Sequence, residues 1–147
     1  MHSAPNWSAT ISSVCSSYAS AMPVLGTVTP VMRMFDAALA RAFYVGFLGF
    51  ELHWEHRFEE NSPLYMELRR DRGVLHLSEH HGDATPGSAV RIEVADIGAL
   101  HAELAARDYR FARPGLEHTP WQTREIAVTD PFGNRLHFFE RLPAGRA

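Results

Sequence analysis

The sequence predicts an α+β fold built from two βαβββ modules of equal length, and three observations predict it. Asp36 and Asp96 each open a helix and lie 60 residues apart. Phe50 and Tyr109 each follow a helix stop and lie 59 residues apart. The chain closes on Thr123–Glu140, which reads as strand, tight turn and strand. Repetition of local signals at one fixed period marks a duplicated structural unit.

Taken in order, Val28–Phe35 is the first strand, with Pro30 where an edge or a crossing tolerates a missing N–H. Asp36 is a natural N-cap for a helix over Ala37–Leu48, whose Leu39, Phe43 and Phe47 share a face and which Gly49 ends. Glu51–Phe58 alternates, setting Leu52, Trp54, His56 and Phe58 against Glu51, His53, Glu55 and Arg57. Glu59–Pro63 is a turn, Leu64–Arg70 a strand, Asp71–Gly73 a hairpin turn and Val74–Ser78 a strand. Glu79–Gly87 is a linker by its Gly, Pro and Asp content. Ala89–Val94 then opens the second copy. Asp96 caps a helix carrying Ile97, Leu100 and Leu104 on one face, Arg110–Arg113 is a short strand with outward arginines, and Pro114–Gln122 is a loop. In the closing hairpin Ile126 and Val128 alternate with polar neighbours, Asp130–Asn134 supplies turn chemistry, and Leu136 and Phe138 oppose Arg135, His137 and Phe139. The boundaries are module one 27–80, linker 81–88 and module two 89–142, one domain over 27–142 with a tail at 143–147.

Composition narrows the function. A formal charge of −3 argues against a nucleic-acid surface and favours a neutral or cationic ligand. No apolar run approaches the length of a membrane span. Cys15 is the only cysteine, which excludes an internal disulfide, suits a cytoplasmic location and leaves a thiol nucleophile without a setting. Residues 1–26 read as a disordered extension: Met1–Ala21 is rich in Ser and Ala, nearly uncharged and without the basic and apolar regions of a signal peptide. Met22 is an alternative start. Gly46–Gly49 closes a helix and is no phosphate loop.

Three motifs follow one another with hairpin spacing: PWxxRE at Pro120–Glu125, DPxGN at Asp130–Asn134 and LHF at Leu136–Phe138. With TPVMRMFD at Thr29–Asp36 and FYVGFLGF at Phe43–Phe50, they resemble the vicinal-oxygen-chelate superfamily of glyoxalase I, extradiol dioxygenases and bleomycin-resistance proteins, the last group most of all. The resemblance covers about Val28 to Leu142. It implies that the paired modules form a curved mixed sheet whose concave faces enclose a ligand, and a homodimer in which the first strand is often exchanged between subunits, with Pro30 at the crossing.

Metal-dependent members of that superfamily take one ligand from each of four strands. The flanking motifs place those positions here at Thr29, His76, Ala89 and His137. Ala89 offers no donor and Thr29 a poor one, while a catalytic divalent site needs at least three firm ligands. His76 and His137, with Glu93 or Glu125, are what remains for a divalent metal. Alternation puts Val74, His76 and Ser78, then Ala89, Arg91 and Glu93, then Glu125 and His137, on the cavity side. Glu125 opposite His137 would make an acid–base pair for enolisation, though without a metal to polarise a carbonyl.

A sequestering protein needs aromatic plates and a few acids for a flat, partly cationic molecule. Trp54, Phe58, Tyr65 and Trp121 are the candidate plates, and the resemblance matches Trp54 and Trp121 to cavity aromatics. His76, Ser78, Arg91, Glu93, Glu125 and His137 complete the candidate ligand-binding set. Each aromatic also has a packing alternative: Trp54 between the modules, Trp121 at a dimer seam. The expectation is a metal-free, cofactor-free drug-binding protein that partners a small aromatic or cationic ligand. The alternative is a metal-dependent lyase, isomerase or dioxygenase, glyoxalase-like if it is an enzyme.

Overall fold

The computed structural model describes residues 22–107 and 109–143. Most of the N-terminal extension, including Cys15, and most of the tail lie outside the described residues. Residues 22–30 form no helix or strand, and the first strand, β1, is confined to Val31–Arg33, shorter than its alternation suggests. Helix α1 (37–47) starts on Asp36, whose side chain accepts from Leu39 N, and winds more widely over Arg41–Phe47, where Leu48 N reaches back five residues to Phe43 O. Its buried face is Ala40, Phe43, Tyr44 and Phe47; Leu39, expected on that face, is 47% exposed.

β2 (Glu51–Arg57), β3 (Leu64–Arg70) and β4 (Gly73–Ser78) complete module one. β5 (Ala89–Glu93), α2 (Ile97–Ala106), β6 (Leu116–His118), β7 (Thr123–Thr129) and β8 (Arg135–Arg141) make module two. The short strand expected over Arg110–Arg113 is a turn. Pairing falls instead on Leu116–His118, beyond Pro114 and Gly115, where Leu116 lies opposite Ile126.

The modules form two four-stranded mixed sheets of matching order, β1-β4-β3-β2 and β5-β8-β7-β6, each with one parallel pair. The parallel pairs join strands separated by the helix and two further strands, which is the βαβββ repeat in three dimensions. Leu75 and Leu77 on β4 and Leu136 and Phe138 on β8 are buried in the core, so their alternates His76 and His137 lie on the opposite faces. β2 departs from simple alternation: Leu52 pairs with Leu68 and Trp54 with Glu67, leaving His53 as an inserted residue. The bulge turns Trp54 and His56 to the face opposite Leu52, and puts Glu55 beside Arg41 of α1.

A polar seam joins the modules. Arg70 binds both Glu103 oxygens at 2.7 and 2.9 Å and donates to Leu48 O, while Arg107 donates to Phe47 O and Tyr109 stacks on Phe47. Gly49, at φ +75°, sits under both guanidiniums. The left-handed φ favours glycine, and a Cβ there would lie 2.9 Å from Arg107 Nη1, so a side chain would also push on the guanidinium. Asp130 ties the closing turn to α1 by accepting from the Tyr44 hydroxyl at 2.7 Å. No helix among the described residues is long and apolar enough to cross a membrane.

Candidate functional site

Two side-chain clusters stand on the sheet faces turned away from the core. On module one, Trp54, Glu67, His76 and Val31 lie opposite one another on successive strands. The Trp54 and Tyr65 rings stack at 12° with centroids 5.7 Å apart, and His76 meets both edge-on. Glu67, 1% exposed, is the hub: Oε1 lies 2.9 Å from His76 Nε2, and Oε2 takes His53 Nδ1 at 2.5 Å and Arg69 Nε at 2.9 Å. Burial pushes its carboxyl up, but the hydrogen bonds from His76, His53 and Arg69 outweigh burial and hold it below the ordinary value. The Tyr65 hydroxyl closes the network on His76 Nδ1 at 2.6 Å.

Glu67 and His53 escaped the sequence reading. Glu67 shares a strand face with Tyr65, which was a usable signal, but its contact with His76 needs the β3–β4 register. His53 enters only through the bulge.

On module two, Glu125 is 8% exposed and fully engaged. Arg91 grips both its oxygens at 3.1 and 2.8 Å, Thr123 Oγ1 donates at 2.7 Å and Trp121 Nε1 at 3.0 Å. Arg91 also lies over the Phe139 ring, 4.5 Å from its centroid, and Arg141 pairs with Glu93 at 2.8 Å. Trp121 is thus anchored by its indole N–H while the residue stays 62% exposed.

The hydrogen bonds from Arg91 hold the Glu125 carboxyl down at about 2, against the opposing effect of burial and with help from Thr123 and Trp121. A carboxyl that titrates lower folded than unfolded stabilises the protein above its ordinary value of 4.5, and that contribution is lost as the pH falls towards 2. Discounted for the half-exposed guanidinium, Arg91→Met is expected to cost about 1 kcal/mol at pH 7. The cost should shrink towards pH 2. Urea unfolding at pH 7, 4 and 2.5 checks this, and a cost independent of pH would contradict it.

The structure therefore gathers Trp54, Tyr65 and His76 in one cluster and Arg91, Trp121 and Glu125 in another. None of the contacts just described joins the two. Phe58, 75% exposed, follows the end of β2 and meets the rings of His56 and His80. Ser78 is fully buried, donating to Asp83 and accepting from His80 N, so its hydroxyl holds the linker in place of a ligand. Glu125 does not face His137: it lies opposite Phe139, while His137 lies opposite Ala127 and Arg91. The proposed acid–base pair is absent from the register.

At the family's metal positions Ala89 has no donor, Thr29 precedes the first strand, and both ring nitrogens of His76 are engaged. Among the described residues no three His, Cys, Asp or Glu are placed to hold a metal ion. The donor set does not fit the family's divalent site. A separate pocket of about 360 Å³ lies at the module seam, lined by Phe50, Arg72, Ile92, Leu100 and Phe138 beside the Arg70–Glu103 pair.

Comparison with known proteins places the chain. A family model described as glyoxalase superfamily protein matches residues 18–145. The bleomycin-binding protein of bleomycin-producing Streptomyces verticillus, solved with copper(II)-bleomycin, is 31% identical. That match covers 85% of this chain and 100% of the other, with a TM-score of 0.59. The bleomycin resistance determinant encoded on transposon Tn5 is 20% identical over 80% of this chain and 98% of its own, TM-score 0.61. A glyoxalase/bleomycin resistance protein/dioxygenase superfamily member from Sphaerobacter thermophilus DSM 20745 is 20% identical over 82% and 100%, TM-score 0.62. No curated protein matches. By its family model, its two-sheet architecture and its motifs, the chain belongs to the glyoxalase superfamily.

Proposed function

We propose that this protein binds and sequesters a flat aromatic small molecule of the bleomycin class, unaltered and without a resident metal. The observation that carries the reading is the pair of anchored aromatic plates: Trp54 stacked on Tyr65 over the closed Glu67 network, and Trp121 held by Glu125 yet exposed. Rigid aromatics, Trp54 fixed by ring packing and Trp121 by its hydrogen bond, lose little freedom on binding and supply stacking area. The 31% identity to a bleomycin-binding protein supports the choice of drug class. Glu93 and Glu125 are neutralised by Arg141 and Arg91, so stacking rather than charge carries recognition.

The working unit on this reading is a cytoplasmic homodimer. Leu25 and Val28 ahead of β1 are 95% and 91% exposed, as is Phe58 to a lesser degree; a second copy, with or without exchange of the first strand, would cover them. Calorimetry of metal-free bleomycin with chelator-stripped protein, on a sample weighed by light scattering, tests both points. The expected result is saturation at micromolar or tighter affinity, one drug per cavity, on a two-chain particle. No heat without added divalent metal would favour the metal-dependent alternative, and a single-chain mass would remove the dimer.

A further inference from the structure

Glu67 presents no free atom to a ligand in the binding just proposed, yet its geometry dictates what the neighbouring tyrosine can do. We propose that Glu67 is a positioning residue that fixes the His76 tautomer, and that this makes the Tyr65 oxygen an acceptor only. The ligand must then present an N–H or O–H donor at the Trp54–Tyr65 plate.

An ionised carboxylate has lone pairs and no proton, so each nitrogen hydrogen-bonded to it brings the proton itself. His76 Nε2, 2.9 Å from Glu67 Oε1, therefore carries N–H. In a neutral imidazole the other nitrogen is then bare and accepts. That nitrogen, Nδ1, lies 2.6 Å from the Tyr65 oxygen, so the phenol proton is spent on it. What Tyr65 still offers outward is lone pairs. Burial first, then the charges of Asp83 and Glu67, push the Tyr65 hydroxyl above its ordinary range, so it remains a neutral phenol. His53 and Arg69 saturate the other Glu67 oxygen, which keeps the carboxylate from turning away from His76.

Tyr65 is half-buried beside the parallel Trp54 ring, so the group that meets its oxygen belongs to a flat ring lying along the same plate. The ligand class is a planar heteroaromatic or carboxamide with an N–H in its edge; a ring bearing only acceptors would set lone pair against lone pair. This ligand class rests on the reading of the module-one face as a binding site, whereas the tautomer does not.

The test has two arms on the full chain. Two-bond ¹H–¹⁵N correlation of histidine-labelled protein at pH 8 should show His76 as the Nε2–H tautomer; an Nδ1–H or imidazolium pattern overturns the proposal. Shift titrations then compare indole with benzofuran and quinoline, flat neutral bicycles of similar size with and without a donor. Indole should bind roughly 2- to 10-fold tighter, the range of one hydrogen bond. Tyr65→Phe should abolish the advantage. Glu67→Gln, whose amide can donate to Nε2, should narrow it and move the tautomer towards Nδ1–H, a change that a purely structural role would not produce. Equal binding of the three bicycles, or binding of none, overturns the ligand class. Should bleomycin fail to bind while the indole preference holds, the drug is removed and the acceptor role of Tyr65 stands, so the two failures are distinguishable.

Discussion

Asp130→Ala is expected to destabilise the protein by about 3–5 kcal/mol, the cost of stranding several buried donors that share one charged acceptor. Asp130 is 5% exposed and accepts four hydrogen bonds: Oδ1 from Phe132 N and Asn134 N, Oδ2 from Asn134 Nδ2 and the Tyr44 hydroxyl, at 2.7–2.8 Å. Three of these lie within the closing turn, and the bond from Tyr44 crosses from helix α1 to that turn. Asn134 adds a second crossing by donating to Arg33 O at 2.7 Å. Removing the carboxylate leaves buried donors with no acceptor and loosens both modules together. Burial, then the Asp130 charge and hydrogen bond, hold the Tyr44 hydroxyl far above its ordinary range, so it stays a donor at any working pH. Tyr44→Phe removes one bond and should cost about 1–2 kcal/mol, well short of the carboxylate. Urea unfolding measures both. A loss below about 1 kcal/mol for Asp130→Ala would show that the turn does not depend on this side chain.

Trp121→Ala is expected to weaken ligand binding by about 30-fold or more, the scale of an aromatic anchor worth about 2 kcal/mol. The change should barely affect folding. Trp121 is 62% exposed, and Glu125 keeps Arg91 and Thr123 when the indole N–H is gone. Stability should therefore move by under ~1 kcal/mol, as for most surface changes. Trp54→Ala is a different case. Its ring is half-buried and stacked on Tyr65, so loss of binding there comes with loss of packing. The contrast between the two variants separates a contact with ligand from a contact with the fold.

What was legible in the chain is what local chemistry decides. Asp36 and Asp96 cap helices as their residue types require, each accepting from the backbone N–H three residues on. The Asp130–Asn134 turn and the inward sets Leu75/Leu77 and Leu136/Phe138 follow from turn residues and period-two alternation. What was not legible depends on partners distant in sequence. The β2 bulge is set by pairing with β3, and it alone decides that Trp54 shares a face with Tyr65 and His76. The short strand in module two forms where Leu116 finds Ile126, a choice that β-propensity over Arg110–Arg113 does not reveal. The sequence sets Arg91 and Arg135 beside the acids Glu93 and Glu125, but the pairs that form, Arg91 with Glu125 and Arg141 with Glu93, depend on strand register.

The most direct measurement is a tryptophan-fluorescence titration with metal-free bleomycin on chelator-stripped full-length protein in a Trp7→Phe background, so that Trp54 and Trp121 report. The account predicts saturable quenching at one drug per cavity, with the apparent affinity falling about 30-fold or more in Trp121→Ala. Unchanged emission through high micromolar drug, or quenching that Trp121→Ala leaves intact, would contradict it.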